Sequence, residues 1–278
     1  MTVDAEFAVI GGSGLYHLTY DVVQVDVPTP YGAPTAPVSL ATIGSARVAF
    51  LPRHGARHEF PPHAVNYRAN IDALRQLGVT RVFAPCAVGS LRTDLGPGSL
   101  VVPDQLVDRT HGRAQTFHDR FDGAPAHVEF ADPYCPVLHD AVIASAAQQG
   151  WAAVDHATMV IIDGPRFSTR AESRFFASQG WDLVNMTGQP EAVLAREAGL
   201  CYTPIALVTD LDAGLVTGGG VSVAEALAVF AAHTERLRGL LVTVLTTLAA
   251  QSPSRVGKPC GPVSRCDPEP TAHPRVSG

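Results

Sequence analysis

Short apolar runs that stop at glycine-rich or polar turns, most of them followed by an amphipathic stretch, recur along nearly the whole chain. This alternation narrows the possible folds more than any other feature. Phe7–Ile10, Val38–Ile43, Val48–Pro52, Arg81–Cys86, His156–Ile162, Asp182–Met186 and Tyr202–Thr209 read as buried strands by length and apolar content. GSLVVPDQLVD, from Gly98 to Asp108, reads as a further strand broken by its proline. Asn66–Leu77 and Val137–Gln149 read as helices closed by Gly78 and Gly150, residues suited to the left-handed C′ position. Thr169 with Glu172, and Ser222 with Glu225, have the spacing of capping boxes, the second opening a long helix to about Ala249. Pro190 suits the first position of another helix, with Glu191 in its first turn. Strand and helix in alternation predict an α/β fold.

The chain has 278 residues, 46% of them hydrophobic, enough for one sizeable core. No linker or repeat interrupts it before Gln251. From residue 251 to 278, proline and polar residues dominate without a period, which predicts a disordered C-terminal tail. The net charge of -6 offers no basic surface for nucleic acid or an anionic membrane. An anionic ligand therefore needs local positive groups. No charged leader precedes an apolar segment, and no apolar run reaches membrane-spanning length. The five cysteines lack metal-ligand spacing, as expected of a cytoplasmic protein in a reducing compartment.

The run Tyr202–Thr209 ends in Asp210-Leu211-Asp212. Residues two apart on a strand share a face, so the carboxylates are expected side by side at the core's rim. Like charges that close resist joint ionisation, and one pKa rises, which suits proton chemistry. The same pair could also cap the following loop, AGLVTGGG.

Several other loops suit an anion, all but LPRHGARH plainly at strand ends. IGGSGLY carries Ser13 in a glycine-rich turn, although His17 stands where a dinucleotide fingerprint needs glycine. LPRHGARH presents Arg53, a fork for phosphate, beside His54. His54, His58 and His63 could be imagined as a loop metal site, but no acidic or cysteine ligand accompanies them, and EFPPH argues against a helix there. DGPRFSTRAES sets Phe167 and Ser168 before a capped helix start, where free N–H groups favour an anion. VNMTGQP places Asn185, Met186 and Thr187 at another strand end. Ligands of open α/β sheets collect beyond such carboxyl ends.

Taken together, IGGSGLY, PRHGARHEFPPHAVNYRANI, GSLRTDLGPG, QLVDRT, DGPRFSTRAES, VNMTGQPEAVLAREAG and ALVTDLDAG resemble the trimeric purine nucleoside phosphorylases, and most closely their methylthioadenosine phosphorylase branch. The resemblance spans Ala5 to Ala249 and implies a single-domain mixed, twisted sheet flanked by helices, with residues 1–250 as the catalytic domain. It implies a homotrimer that uses inorganic phosphate as co-substrate to cleave an N-glycosidic bond, with no metal or organic cofactor, in purine and methionine salvage. It assigns phosphate to Ser13, Arg53, His54, Ala87 (through its N–H), Ser168 and Thr187. It sets Met186 against the ribose, Phe167 against the purine, and His127 and Val223 at the 5′ pocket, His127 reaching that of a neighbouring subunit.

Asp210 and Asp212 would face the purine, Asp210 as proton donor to N7 and Asp212 as acceptor from a 6-amino group. A carboxylate repels a 6-oxo oxygen, so the pair favours adenine. Cys86 stands where the family often has a threonine donating to phosphate, which weakens one contact. The tail departs from the segment that closes the 5′ pocket in longer relatives. The alternatives are a 6-oxopurine nucleoside or methylthioinosine phosphorylase and, in another class, a non-catalytic nucleoside-binding protein.

Overall fold

The computed structural model describes residues 5–11, 22–121, 123–215 and 220–251. Ser13, most of the glycine-rich stretch after Leu215 and the tail expected to be disordered lie outside them.

Among the described residues, eleven strands form one mixed sheet. β1 (Phe7–Gly11) lies between β4 (Ala46–Pro52) and β5 (Arg81–Ser90), parallel to both. β2 (Val23–Val25) and β3 (Val38–Ile43) extend the β4 edge in antiparallel fashion, with β3 and β4 joined through Gly44 at φ 60°. β11 (Cys201–Leu211) runs parallel to β5 along its whole length and carries β6 (Leu100–Val102), which pairs with β8 (Ala153–Asp155). β10 (Leu183–Asn185) meets β5 antiparallel at Gly89 and Ser90 and continues through β9 (Thr158–Ile162) to β7 (Gln105–Arg109).

This pairing leaves a gap. β11 occupies one edge of β5. On the other, β1 pairs only with Arg81–Phe83 and β10 only with Gly89 and Ser90. The edge from Ala84 to Val88 has no ladder partner among the described residues. Because β10 runs against β1, the carboxyl ends of both strands point into this gap.

Helices cover both faces. α1 (Tyr67–Gln76) and α4 (Gly188–Glu197) pack on one, where Ile71, Leu74, Leu194, Tyr202, Ala206 and Val208 share a core. α2 (Pro136–Gln148) and α5 (Val223–Ala250) pack on the other with Cys201, Ile205 and Leu207, so β11 alternates between the two cores as a doubly buried strand must. α3 (Arg170–Ser178) opens with the reciprocal Thr169–Glu172 box. Ser222 caps α5 by accepting from the Glu225 N–H at 3.4 Å.

Three sequence expectations need correction. The strand expected over His156–Ile162 begins only at Thr158 as β9, because His156 takes a left-handed φ of 63° and turns the chain between β9 and a preceding short strand, β8, that was not expected. The proline-broken strand is two, β6 and β7, on different parts of the sheet. β5 continues past Cys86 to Ser90, because β11 pairs its whole length and β10 adds a second partner at its end. In α4, Gln189 is extended, so the regular turns begin at Pro190.

Candidate active site

The gap in β5 opens into a cavity of about 240 Å³. It is lined by Arg53, His54, Ala87, Phe167, Ser168, Met186, Thr187, Asp210, Asp212 and Val223, ten of the twelve residues singled out in the sequence. Of the other two, Ser13 lies outside the described residues. His127 is exposed, off this cavity, its ring edge-on to Phe121 with centroids 5.8 Å apart.

Part of the cavity lining is acidic. A β-bulge at Thr209 shifts the register of β11 so that Val208 faces Val88 and Asp210 faces Gly89. Both carboxylates line the cavity, in different environments. Asp210 is half-buried. Its Oδ2 accepts from the Thr209 hydroxyl at 2.8 Å, while its buried Oδ1 has no partner among the described residues. Burial, helped by the nearby Asp212 charge and opposed by the Thr209 hydrogen bond, raises the Asp210 pKa from 3.8 to about 6. Asp212 is buried, and its Oδ2 accepts from Ser173 Oγ at 2.6 Å. Gly89 is what lets the pair sit so close to β5. A Cβ there would lie 3.0 Å from Asp210 Oδ1 and 3.4 Å from Asp212 Cβ.

Other lining residues supply donors. The Ser168 hydroxyl is buried without a partner among the described residues, just before α3. Thr187 stands at the start of α4. Ala87 lies on the free edge of β5, and its carbonyl accepts from Asn185 Nδ2 at 3.2 Å. An extended residue turns its N–H and C=O to the same side, so the Ala87 N–H also faces the gap. His54 Nδ1 lies 2.8 Å from the Phe60 carbonyl, which only accepts, so the ring proton is on Nδ1 and Nε2 is left as an acceptor. Burial lowers the His54 pKa to about 4, with Arg53 and His58 adding to it, so the ring is neutral at pH 7.

Arg53, read from the sequence as a phosphate fork, makes most of its bonds within the protein. Nε and Nη2 donate to Glu191 Oε2 and Oε1 at 2.8 and 2.9 Å. Nη2 also donates to the Ile10 carbonyl and Nη1 to that of Pro85. Four of the five N–H groups are thus engaged among the described residues. Burial penalises the guanidinium, but the Glu191 carboxylate more than offsets this and keeps it charged.

The remaining wall is apolar. Met186 and Phe167 line it together with Val223, Leu227 and Phe230 from the start of α5. Cys86 also lines the cavity, its thiol pushed up to about 12 by burial and so uncharged. His54 and His58 stack with ring centroids 4.3 Å apart, but no metal-ligand cluster forms around them among the described residues.

Four residues that sequence reading did not assign complete the site. Asn185 Oδ1 accepts from the N–H groups of Thr187 and Gly188 at 2.8 and 2.7 Å, and its Nδ2 ties this turn to Ala87. Glu191, Ser173 and Gly89 hold Arg53, Asp212 and the acidic pair as described. For Asn185, Glu191 and Ser173 the only sequence signal was a polar residue at a strand end or in a first helical turn, and for Gly89 a glycine close to the end of an apolar run.

Residues 6–246 match the phosphorylase superfamily. An S-methyl-5'-thioadenosine phosphorylase of Mycolicibacterium smegmatis is 58% identical over 244 residues, covering 87% of this chain and 91% of that one. A purine nucleoside phosphorylase of Streptomyces coelicolor is 52% identical over 268 residues, covering 93% and 94%. A methylthioadenosine phosphorylase from Schistosoma mansoni, solved in complex with adenine, superposes with a TM-score of 0.85 at 36% identity, covering 91% of this chain and 94% of that one. The family match over most of the chain, the relatives and the shared fold agree: this chain belongs to the phosphorylase superfamily.

Proposed function

We infer that this chain cleaves 5′-methylthioadenosine with inorganic phosphate, releasing adenine and 5-methylthioribose 1-phosphate. The observation that carries the reading is that one cavity is lined both by a carboxylate poised near neutral pH and by donors, among them a buried Ser168 hydroxyl without a partner among the described residues. A phosphate held by Ser168, Thr187, the Ala87 N–H and the Arg53 N–H left over among the described residues, with the neutral His54 Nε2 accepting a hydrogen bond from any P–OH it keeps, lies on one side of the sugar. Its oxygen attacks C1′ as the C1′–N9 bond breaks, and the bonding electrons leave with the purine. Protonated Asp210 delivers a proton to N7, so the base departs neutral. Phosphate charge offsets the positive charge that develops on the sugar. Asp212 accepts from the 6-amino group. Ser13 joins the phosphate site.

An apolar wall favours a methylthio group at the 5′ position. Val223, Leu227 and Phe230 offer no partner for a hydroxyl, and a methylthio group gains by contact with them. His127, from a neighbouring subunit of a homotrimer, would complete this pocket. The reading places the enzyme in the cytoplasm, in purine and methionine salvage, with residues 1–250 as its catalytic domain and the tail outside it. The chemistry calls on no metal or organic cofactor.

The test is phosphate-dependent release of free base from methylthioadenosine, adenosine, methylthioinosine and inosine, run side by side. Adenine released fastest from methylthioadenosine supports the reading. Hypoxanthine released fastest overturns the role of the carboxylates, and base release without phosphate overturns the phosphorolysis.

A further inference from the structure

On the α2 face, away from the cavity, two imidazoles and a carboxylate converge. His139 projects from α2 and is buried, while Asp155 ends β8 and His156 follows it. His139 Nε2 lies 3.2 Å from Asp155 Oδ1, and His156 Nε2 lies 3.5 Å from the same oxygen. One ligand atom from each residue falls within 4.8 Å of the others. With metal–ligand bonds of about 2.0–2.1 Å, neighbouring corners of a tetrahedron are about 3.3 Å apart, close to both measured separations.

The surroundings match what metal-binding histidines require. His156 Nδ1 lies 3.0 Å from Asp104 Oδ2, and Asp104 Oδ1 is itself fixed by the Ala157 N–H at 3.0 Å. His139 Nδ1 faces Asp140 Oδ1 at a looser 3.5 Å. With an ion bound, a carboxylate opposite Nδ1 holds the ring proton there and leaves the Nε2 lone pair for the ion. The left-handed backbone at His156 brings its ring over that of His139, with centroids 5.6 Å apart and planes 21° from parallel. Without a cation, His139 carries its proton on Nε2 and donates it to the Val102 carbonyl at 3.1 Å, so binding moves that proton to Nδ1. His156 and Asp155 are 71% and 48% exposed, so an ion reaches them from solvent.

We propose that His139, Asp155 and His156 bind a divalent first-row transition ion of the zinc type, with water completing the shell. The nitrogen and oxygen donors suit such ions better than calcium or magnesium, which prefer oxygen alone. The bound ion joins α2 to the turn between β8 and β9, a structural clip remote from the reacting atoms.

Full-length protein stripped with chelator and titrated with zinc by calorimetry should bind one ion per chain at this site and melt at a higher temperature. Cobalt in its place should give the visible absorption of a tetrahedral centre. His139 is buried and its loss could unfold α2, so the variants belong at the exposed positions. His156→Ala should abolish this binding, and Asp104→Asn should weaken it about 10–100-fold, as loss of an outer carboxylate does elsewhere. Phosphorolysis should continue in both. Absence of zinc binding by the native chain, or binding undiminished in His156→Ala, overturns the proposal.

Discussion

Arg53 and Glu191, 138 residues apart in sequence, meet as a two-pronged ion pair beneath the cavity, Nε to Oε2 at 2.8 Å and Nη2 to Oε1 at 2.9 Å. Their side chains are 2% and 1% exposed, and the Tyr202 hydroxyl donates a further bond to Glu191 at 2.8 Å. A buried cation deprived of its partner costs about 3–5 kcal/mol. Glu191→Gln should therefore lower stability by about that amount in phosphate-free buffer. Phosphate at the neighbouring donors would then supply the missing negative charge, so the melting temperature of the variant should rise more with added phosphate than the native one does. Equal gains in both proteins would show that Arg53 does not face the anion.

Asp210 trades stability for proton chemistry. Its pKa is raised in the folded protein to about 6 from 3.8, so its protonated form is favoured by folding. That contribution is complete below pH 3.8, fades as pH rises through about 6, and is absent at pH 7.5. Asp210→Asn should then be more stable than native at pH 7.5, by about 1–2 kcal/mol after allowing for solvent screening of a half-buried group. Turnover of adenine nucleosides should fall by about 10²–10⁴-fold, the usual contribution of a positioned acid. The native kcat/KM, measured at saturating phosphate, should decline on the alkaline side with a break near 6 that the variant lacks. Undiminished turnover in Asp210→Asn would remove it from the mechanism.

Selectivity for the 6-position rests on Asp212 and, through it, on Ser173. The Ser173 hydroxyl holds Oδ2 of Asp212 at 2.6 Å, so the remaining oxygen is the one free to accept from an amino group. Asp212→Asn offers an amide that can donate to a 6-oxo oxygen, and the ratio of adenosine to inosine turnover should fall by at least about tenfold, the scale of one misplaced hydrogen bond. Ser173→Ala should raise KM for adenine nucleosides several-fold and leave the phosphate requirement unchanged. Parallel assays of the two nucleosides decide both points, and an unchanged ratio in Asp212→Asn would sink the assignment.

How much of this was legible in sequence depended on the range of each interaction. The Thr169–Glu172 box was readable because its partners lie three residues apart, within one turn of α3. Asp210 and Asp212 were readable as neighbours because a strand imposes a period of two, although the bulge at Thr209 that sets their register was not. β8 went unseen because its three residues end in an acid and are held only by β6. Glu191 looked like a first-turn charge of α4. Nothing local says that its carboxylate is buried against an arginine from the end of β4. The free edge of β5 was equally hidden, because it exists only where β1 stops and β10 has not begun.

Asn185 makes the most distinctive test of that gap. Its side-chain oxygen gathers the N–H groups of Thr187 and Gly188, and its nitrogen reaches the Ala87 carbonyl across the unpaired edge of β5. One amide thus sets the spacing between two of the proposed phosphate contacts while lining the same cavity. Asn185→Ala strands two buried N–H groups and one carbonyl, at about 1–3 kcal/mol each where water cannot reach. Asn185→Asp keeps the acceptor for both N–H groups but loses the donor to Ala87 and sets a negative charge beside the anion. Both variants should raise KM for phosphate at least about tenfold, the aspartate more than its smaller loss of stability suggests, because like charge adds to misplacement. KM for the nucleoside should move much less in either. If the two constants rise together, Asn185 supports the cavity as a whole rather than its phosphate end.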